Sequence, residues 1–190
     1  MFKNVMYFAS SNINKYKEIE NLLSTRKKSI KIEFKNMELK EIQSDSLAEV
    51  AEDKVQQAFK IYQNEVFVED DGLFIEALNG FPGVYSSYIS KTIGNGGIID
   101  LLGNKINRNA SFKSIIAFCD GQKIKSFTGE IKGKISVYLT KGGWGFDPIF
   151  VPQNSEVTFG QMDLKTKNKI SHRKAALDKF VKWYLNSTLK

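Results

Sequence analysis

The sequence predicts a mixed α/β fold, built as one domain over all 190 residues. Three observations carry this. Apolar residues recur at helical spacing near both ends, in 16–23, 47–62 and 171–185. Short apolar runs suited to strands fill the middle of the chain. One pair of these runs is joined by Asp120-Gly121, a hairpin signal, so the sheet mixes antiparallel with parallel neighbours.

Each element follows in order. Val5 to Ala9 reads as a short buried strand, ended by Ser10-Ser11-Asn12. The next stretch is a helix with Tyr16, Ile19, Leu22 and Leu23 on one face and Lys15, Lys17, Glu18 and Glu20 between them. Lys31 to Leu39 alternates through Ile32 and Phe34 and reads as a strand. Ser46-Leu47-Ala48-Glu49 is a capping-box pattern. It opens a helix whose apolar face is Leu47, Val50, Ala51, Val55, Ala58, Phe59 and Tyr62. Val66 to Val68 is a strand ended by three carboxylates, and Leu73 to Ala77 is another. Gly80-Phe81-Pro82-Gly83 is a tight turn, and a short helix covers Gly97 to Leu102. Ser111 to Cys119 and Lys123 to Thr128 form the hairpin, and Gly133 to Leu139 continues the sheet. Ser171 begins the last helix, with Leu177, Phe180, Val181, Tyr184 and Leu185 on one face.

Bulk properties bound the function. The chain carries 28 Lys+Arg against 21 Asp+Glu, a net charge of +7 that suits a partner bearing phosphates. The lysines are dispersed, so there is no basic tail or block. One cysteine, Cys119, excludes an intrachain disulfide, and with a single histidine it excludes a zinc cluster. Met1 to Ser11 lacks the apolar run and small-residue cleavage signal of a leader. No apolar run approaches the roughly 20 residues that cross a bilayer. A reducing, cytoplasmic setting without membrane contact is expected.

Four segments carry chemistry. Ser10-Ser11-Asn12-Ile13-Asn14-Lys15 links a strand to a helix, where free backbone N–H groups and a lysine suit an anion. It is not a nucleoside-triphosphatase P-loop, since no G-x-x-x-x-G-K-[ST] occurs. It also suits an ordinary helix cap with a surface lysine. Glu69-Asp70-Asp71-Gly72 crowds three carboxylates, which repel unless a proton or a cation intervenes. Hard divalent cations such as Mg2+ take oxygen ligands of this kind, with Glu41 a further candidate. A solvated acidic turn fits the triplet equally well. Gly142-Gly143-Trp144-Gly145-Phe146-Asp147-Pro148 offers two aromatic faces and an acid in a glycine-rich loop, a surface on which a base would stack. A turn that folds its aromatics into the core is the alternative. Lys167-Asn168-Lys169-Ile170-Ser171-His172-Arg173 sets the one histidine beside an arginine at a helix start, where both suit carbonyl or phosphate recognition or simply hold the helix end.

In order and spacing, the Ser10–Lys15 loop, "VEDDGLFIEALNGFPGVYS" from Val68 to Ser86, "GWGFDPIF" from Gly143 to Phe150 and "SHRKAAL" from Ser171 to Leu177 resemble the inosine triphosphate pyrophosphatase family, also called Ham1-like. The resemblance covers nearly the whole chain. It implies a two-lobed fold around a long, curved mixed sheet with the active cleft between the lobes, and a homodimer. It implies Mg2+-dependent hydrolysis of non-canonical purine nucleoside triphosphates (ITP, dITP, XTP) to the monophosphate and pyrophosphate, which cleanses the nucleotide pool. One or more Mg2+ per subunit is expected.

Carried onto this sequence, the resemblance makes Ser10, Ser11, Asn12, Ile13, Asn14 and Lys15 the triphosphate loop and Lys54 a further phosphate contact. Glu41 and Asp70 become metal ligands. Asp70 is also the acceptor of the attacking water's proton, with Glu69 as its catalytic neighbour. Asp71 and Ser87 join the substrate-binding residues. Trp144, Gly145, Phe146 and Asp147 form the base loop, and Lys167, His172 and Arg173 read the base. Two positions depart from the family pattern, which more often has glycine at Ser11 and serine or threonine at Asp71. A Maf-like pyrophosphatase acting on pyrimidine nucleotides fits less well, because "SHR" and "GWGFDPIF" argue against it. A nucleic-acid-binding protein is the competitor from another class, but the acidic triplet repels a polyanion, so no nucleic-acid polymer is expected as a partner.

Overall fold

The computed structural model describes residues 5–187; positions 1–4 of the Met1–Ser11 stretch lie outside them. Strands β1 (Met6–Ser10), β2 (Ile32–Asn36), β3 (Val66–Ile75), β4 (Asn109–Cys119), β5 (Ile124–Ile135) and β6 (Phe150–Pro152) form a mixed sheet in the order β2-β1-β3-β4-β5-β6. β1 pairs in parallel with both β2 and β3, while β5 and β6 are antiparallel. The helices are α1 (Ile13–Ser24), α2 (Leu47–Tyr62), α3 (Ser86–Lys91), α4 (Gly94–Leu102), α5 (Leu164–Ile170) and α6 (His172–Ser187). Among the described residues, no helix is long and apolar enough to cross a membrane.

The chain divides into two compact units. The first holds residues up to Asp70, Ser114–Gly129 and the chain from Arg173 onward; the second holds Asp71–Lys113 and Glu130–His172. Each has its own core. In the first, Phe8, Phe67, Phe118, Phe127 and Phe180 pack with Ile19, Leu22, Leu23 and Leu177. Phe8 and Phe67 stack at 4.9 Å between centroids. In the second, Phe112, Phe146, Phe150 and Phe159 pack with Leu73, Ile75, Ile98 and Leu102. β1 is apolar on both faces, as a strand paired on each side in parallel requires.

Several local expectations change. The acidic triplet does not end a strand: Glu69, Asp70 and Asp71 lie inside the ten-residue β3, which also takes in Leu73 to Ile75. The ladder survives the charge because Lys15 and Arg173 meet Glu69 and Lys15 and Lys54 meet Asp70. Gly72 keeps the strand running past the Pro82–Gly83 turn, since a Cβ there would stand 2.6 Å from the Gly83 carbonyl oxygen. Ser86 Oγ clamps the same turn, accepting from Leu73 N and donating to Gly83 O. The two segments expected after Asp120-Gly121 are one strand, β5, because Gly133 stays in the ladder opposite Pro152; residues 136–139 leave the sheet.

Helix α5 occupies part of what reads as a loop. Its composition has no apolar period, and its start is set by Asp163 Oδ1 accepting from Thr166 N at 2.8 Å. α3 is likewise absent from the sequence expectation. The capping box at α2 is half formed. Ser46 Oγ accepts from Glu49 N, but the Glu49 carboxylate accepts from Ser44 Oγ, which itself accepts from Ser46 N.

Candidate active site

The two lysines expected to contact phosphate, Lys15 and Lys54, are buried. On α1 the inward stripe is Lys15, Glu18, Ile19, Leu22 and Leu23, and on α2 it is Leu47, Val50, Ala51, Lys54, Val55 and Ala58. Positions three, four and seven apart share a helix face, so Lys15 and Lys54 are carried inward with the apolar residues. Lys54 Nζ bridges two carboxylates, at 2.6 Å from Glu41 Oε1 and 2.8 Å from Asp70 Oδ1. Lys15 Nζ donates to the Glu69 carbonyl oxygen at 3.0 Å and lies 3.1 Å from Glu69 Oε2 and 3.9 Å from Asp70 Oδ1. Burial pushes the Asp70 carboxyl above its ordinary value; the two ammonium groups oppose that without cancelling it, and Glu69 adds to it. Glu41 is more than half exposed, so one flank of this cluster faces water.

Glu69 is gripped from several sides. Its carboxylate accepts from Ser114 Oγ at 2.5 Å and faces the Arg173 guanidinium at 3.3 Å. Arg173 is fully buried and also pairs with Glu18 of α1. The donors expected to meet a base carbonyl are thus engaged with two acids of the first unit. Glu18 and Ser114 are the residues that sequence reasoning missed. Both had a signal: Glu18 lies on the inward stripe of α1, and Ser114 interrupts the period-two face Phe112, Ile116, Phe118. A polar side chain on such a face needs a buried partner.

The Ser10–Lys15 loop is partly self-satisfied. Asn12 caps α1, its Oδ1 accepting from Asn14 N at 2.9 Å, and Ser10 Oγ accepts from Asn12 N at 3.1 Å. Two N–H groups expected to be open to an anion therefore already have acceptors. Ser11, Ile13 and Asn14 are exposed.

In the second unit, the Gly142–Asp147 loop is held by Asp147. Its Oδ2 accepts from Trp144 N at 3.1 Å and from Lys167 Nζ at 2.6 Å. Gly143, at φ +68, leaves room for that carboxylate, since a Cβ would meet Asp147 Oδ2 at 2.6 Å. Lys167 Nζ also lies 5.4 Å from the centre of the half-buried Trp144 ring, a cation–π contact. The expectation of two displayed aromatic faces is half corrected. Phe146 is 4% exposed and belongs to the core, because its ring is apolar throughout and the turn directs it inward. His172 stacks on Phe112 at 4.6 Å, with Nε2 3.6 Å from Asp71 Oδ2. Within the second unit, Asp71 thus faces His172. Ser87 is exposed on α3.

The oxygen donors of the first unit suit a hard divalent cation. Asp70 Oδ2 is buried and without a hydrogen-bond partner among the described residues, which is an acceptor held in reserve. Among the described residues, no three His, Cys, Asp or Glu side chains gather as a ready metal cage. Glu41 and Asp70 would supply two ligands to such a cation, and water or a bound phosphate the others.

The chain is thus an α/β protein with a buried lysine–carboxylate cluster in one unit and a braced glycine–aromatic loop in the other. Residues 6–183 match the model of the Ham1 family, and the chain belongs to that family. A protein of Methanopyrus kandleri named dITP/XTP pyrophosphatase is 44% identical over 182 residues, covering 95% of this chain and 96% of its own length. One of Thermococcus kodakarensis with the same name is 49% identical over 151 residues, covering 79% of this chain and 81% of its own. Among solved structures, the Ham1 protein of Staphylococcus aureus superposes with a TM-score of 0.82 at 25% identity, covering 97% of this chain and all of that one. A HAM1 protein from Coxiella burnetii gives 0.81 at 27% identity, over 95% of this chain and 98% of its own.

Proposed function

We propose that the chain is a nucleoside triphosphate pyrophosphatase that hydrolyses non-canonical purine nucleotides, ITP, dITP and XTP, to the monophosphate and pyrophosphate with the help of Mg2+. The names of its relatives support the substrate class. The observation that carries the chemistry is Asp70: a buried carboxylate, flanked by two lysines, with one oxygen unpartnered among the described residues.

A triphosphate brings about four negative charges that must be neutralised while a water is held in line with the α-phosphorus. Lys15 and Lys54 hold phosphate oxygens. Glu41 and Asp70 would hold the cation, which supplies charge neutralisation and polarises the phosphoryl oxygens. Asp70, its carboxyl raised by burial, accepts a proton from the attacking water as the bond to the bridging oxygen breaks and pyrophosphate leaves. Glu69, fixed by Lys15, Ser114 and Arg173, keeps the cluster in register. In the second unit, Trp144 supplies a stacking face while Lys167 and His172 meet the base edge; the backbone of Gly145 and Phe146 and the side chain of Asp147 shape the loop. Homodimeric assembly is carried over from the family resemblance, and the single cysteine favours a cytoplasmic setting.

The test is pyrophosphate release by purified protein with Mg2+. ITP or XTP is expected to turn over much faster than ATP or GTP. Equal rates on all four would overturn the substrate class, and release of orthophosphate would overturn the cleavage position.

A further inference from the structure

The base loop has a second brace that no motif announced. Asn95, at the start of α4, donates from Nδ2 to the Gly145 carbonyl at 3.0 Å. Its Oδ1 is buried and has no hydrogen-bond partner among the described residues. The reverse amide orientation would set two acceptors against each other at Gly145, so the donor belongs on the loop side. Gly145 itself is left-handed, at φ +60, with no atom within 4 Å of the place a Cβ would take. The loop is therefore anchored at Asp147 by Lys167 and at Gly145 by Asn95, with open space beside the latter.

A buried acceptor without a partner is costly, and such groups in native proteins ordinarily find a donor. We infer that Asn95 is a specificity residue for the base: its Nδ2 positions the loop, and its Oδ1 accepts from a ring N–H of the bound purine. This deepens the proposed function and rests on the Gly142–Asp147 segment being the base loop. The chemistry selects among bases. A purine with a carbonyl at position 6 carries a hydrogen on N1, which satisfies Oδ1. Adenine has a lone pair there, so acceptor would face acceptor. Asn95 thus contributes to rejecting adenine nucleotides from the donor-seeking side, where Lys167 and His172 act from the other.

The experiment compares kcat/KM for ITP and ATP in the parent, Asn95→Ala and Asn95→Asp, alongside inhibition by tripolyphosphate. Asn95→Ala is expected to lower the ITP-to-ATP ratio by roughly five- to tenfold, the loss of one hydrogen bond, with tripolyphosphate inhibition unchanged. Asn95→Asp keeps an acceptor and loses the donor, so the ratio is expected to stay near that of the parent while KM rises for both nucleotides. A selective parent matched by an equally selective Asn95→Ala overturns the assignment of Asn95 alone. So does an Asn95→Asp variant whose ratio falls as far as that of Asn95→Ala. A parent that does not distinguish ITP from ATP overturns the functional reading and this role with it.

Discussion

Asp70 and Lys54 are the pair on which the first unit turns. Lys54 neutralises Glu41 and Asp70 together, in the place where two carboxylates would otherwise share a divalent cation. Lysine and the proposed metal would then compete for the same oxygens, and a triphosphate that draws the ammonium away would free them. Lys54→Gln is expected to bind Mn2+ more tightly than the parent when no nucleotide is present, read by electron paramagnetic resonance titration; unchanged affinity would show that the two acids do not share a cation. Asp70→Asn preserves shape and removes the proposed proton acceptor, so turnover should fall by roughly 10²–10⁴-fold with the circular dichroism spectrum unchanged. Near-parental activity would remove Asp70 from the reaction. Glu18 shows what single residues concealed in the sequence. Read as a spacer between apolar positions, it is in fact on the buried stripe of α1, paired with Arg173.

At the scale of elements, the hairpin between β4 and β5 is where a titration can be followed. Asp120 Oδ1 accepts from Gln122 N and Lys123 N, each at 3.0 Å. Partial burial pushes its carboxyl up, but the two backbone bonds and the Lys123 ammonium outweigh that and hold it below the ordinary 3.8. A depressed carboxyl stabilises the fold above its ordinary value and loses that contribution as pH falls through the folded value. Asp120→Asn should therefore cost about 0.5–1 kcal/mol at neutral pH in urea unfolding, and the gap from the parent should close as pH drops below 3.8. A gap independent of pH would mean that the turn depends on shape and not on charge. The order of the strongly periodic helices and of the first strands was legible, because helical and strand periods are written into adjacent residues. The boundaries of β3 and β5 were not, because a run of acids and a glycine read as breaks while the partners that keep them in the ladder lie far off in sequence. α5 was hidden for the opposite reason: it buries Lys167 and Asn168 and offers no apolar stripe to read.

Over the whole chain, the division into two units passes through two of the four candidate motifs. It separates Asp70 from Asp71 and His172 from Arg173. No linker marks these points, so the sequence presents "EDD" and "SHR" as single motifs where the fold deals their members to different surroundings. The chemistry of the acids and of the glycine–aromatic loop was legible as types of residue. The braces that hold them, Ser114 on Glu69 and Asn95 on Gly145, are contacts across 45 and 50 positions and left only faint traces.

The inward lysines have one more consequence. In a chain dominated by surface amines, Lys15, Lys54 and Lys167 are each under one-tenth exposed. Brief treatment of the folded protein with an amine-acylating ester, followed by peptide mass spectrometry, should mark Lys27, Lys28 and Lys123 early and these three late. Equal labelling of all would contradict their burial. The proposed nucleotide-binding lysines would thus be told from the rest by their silence toward the reagent, with no substrate needed.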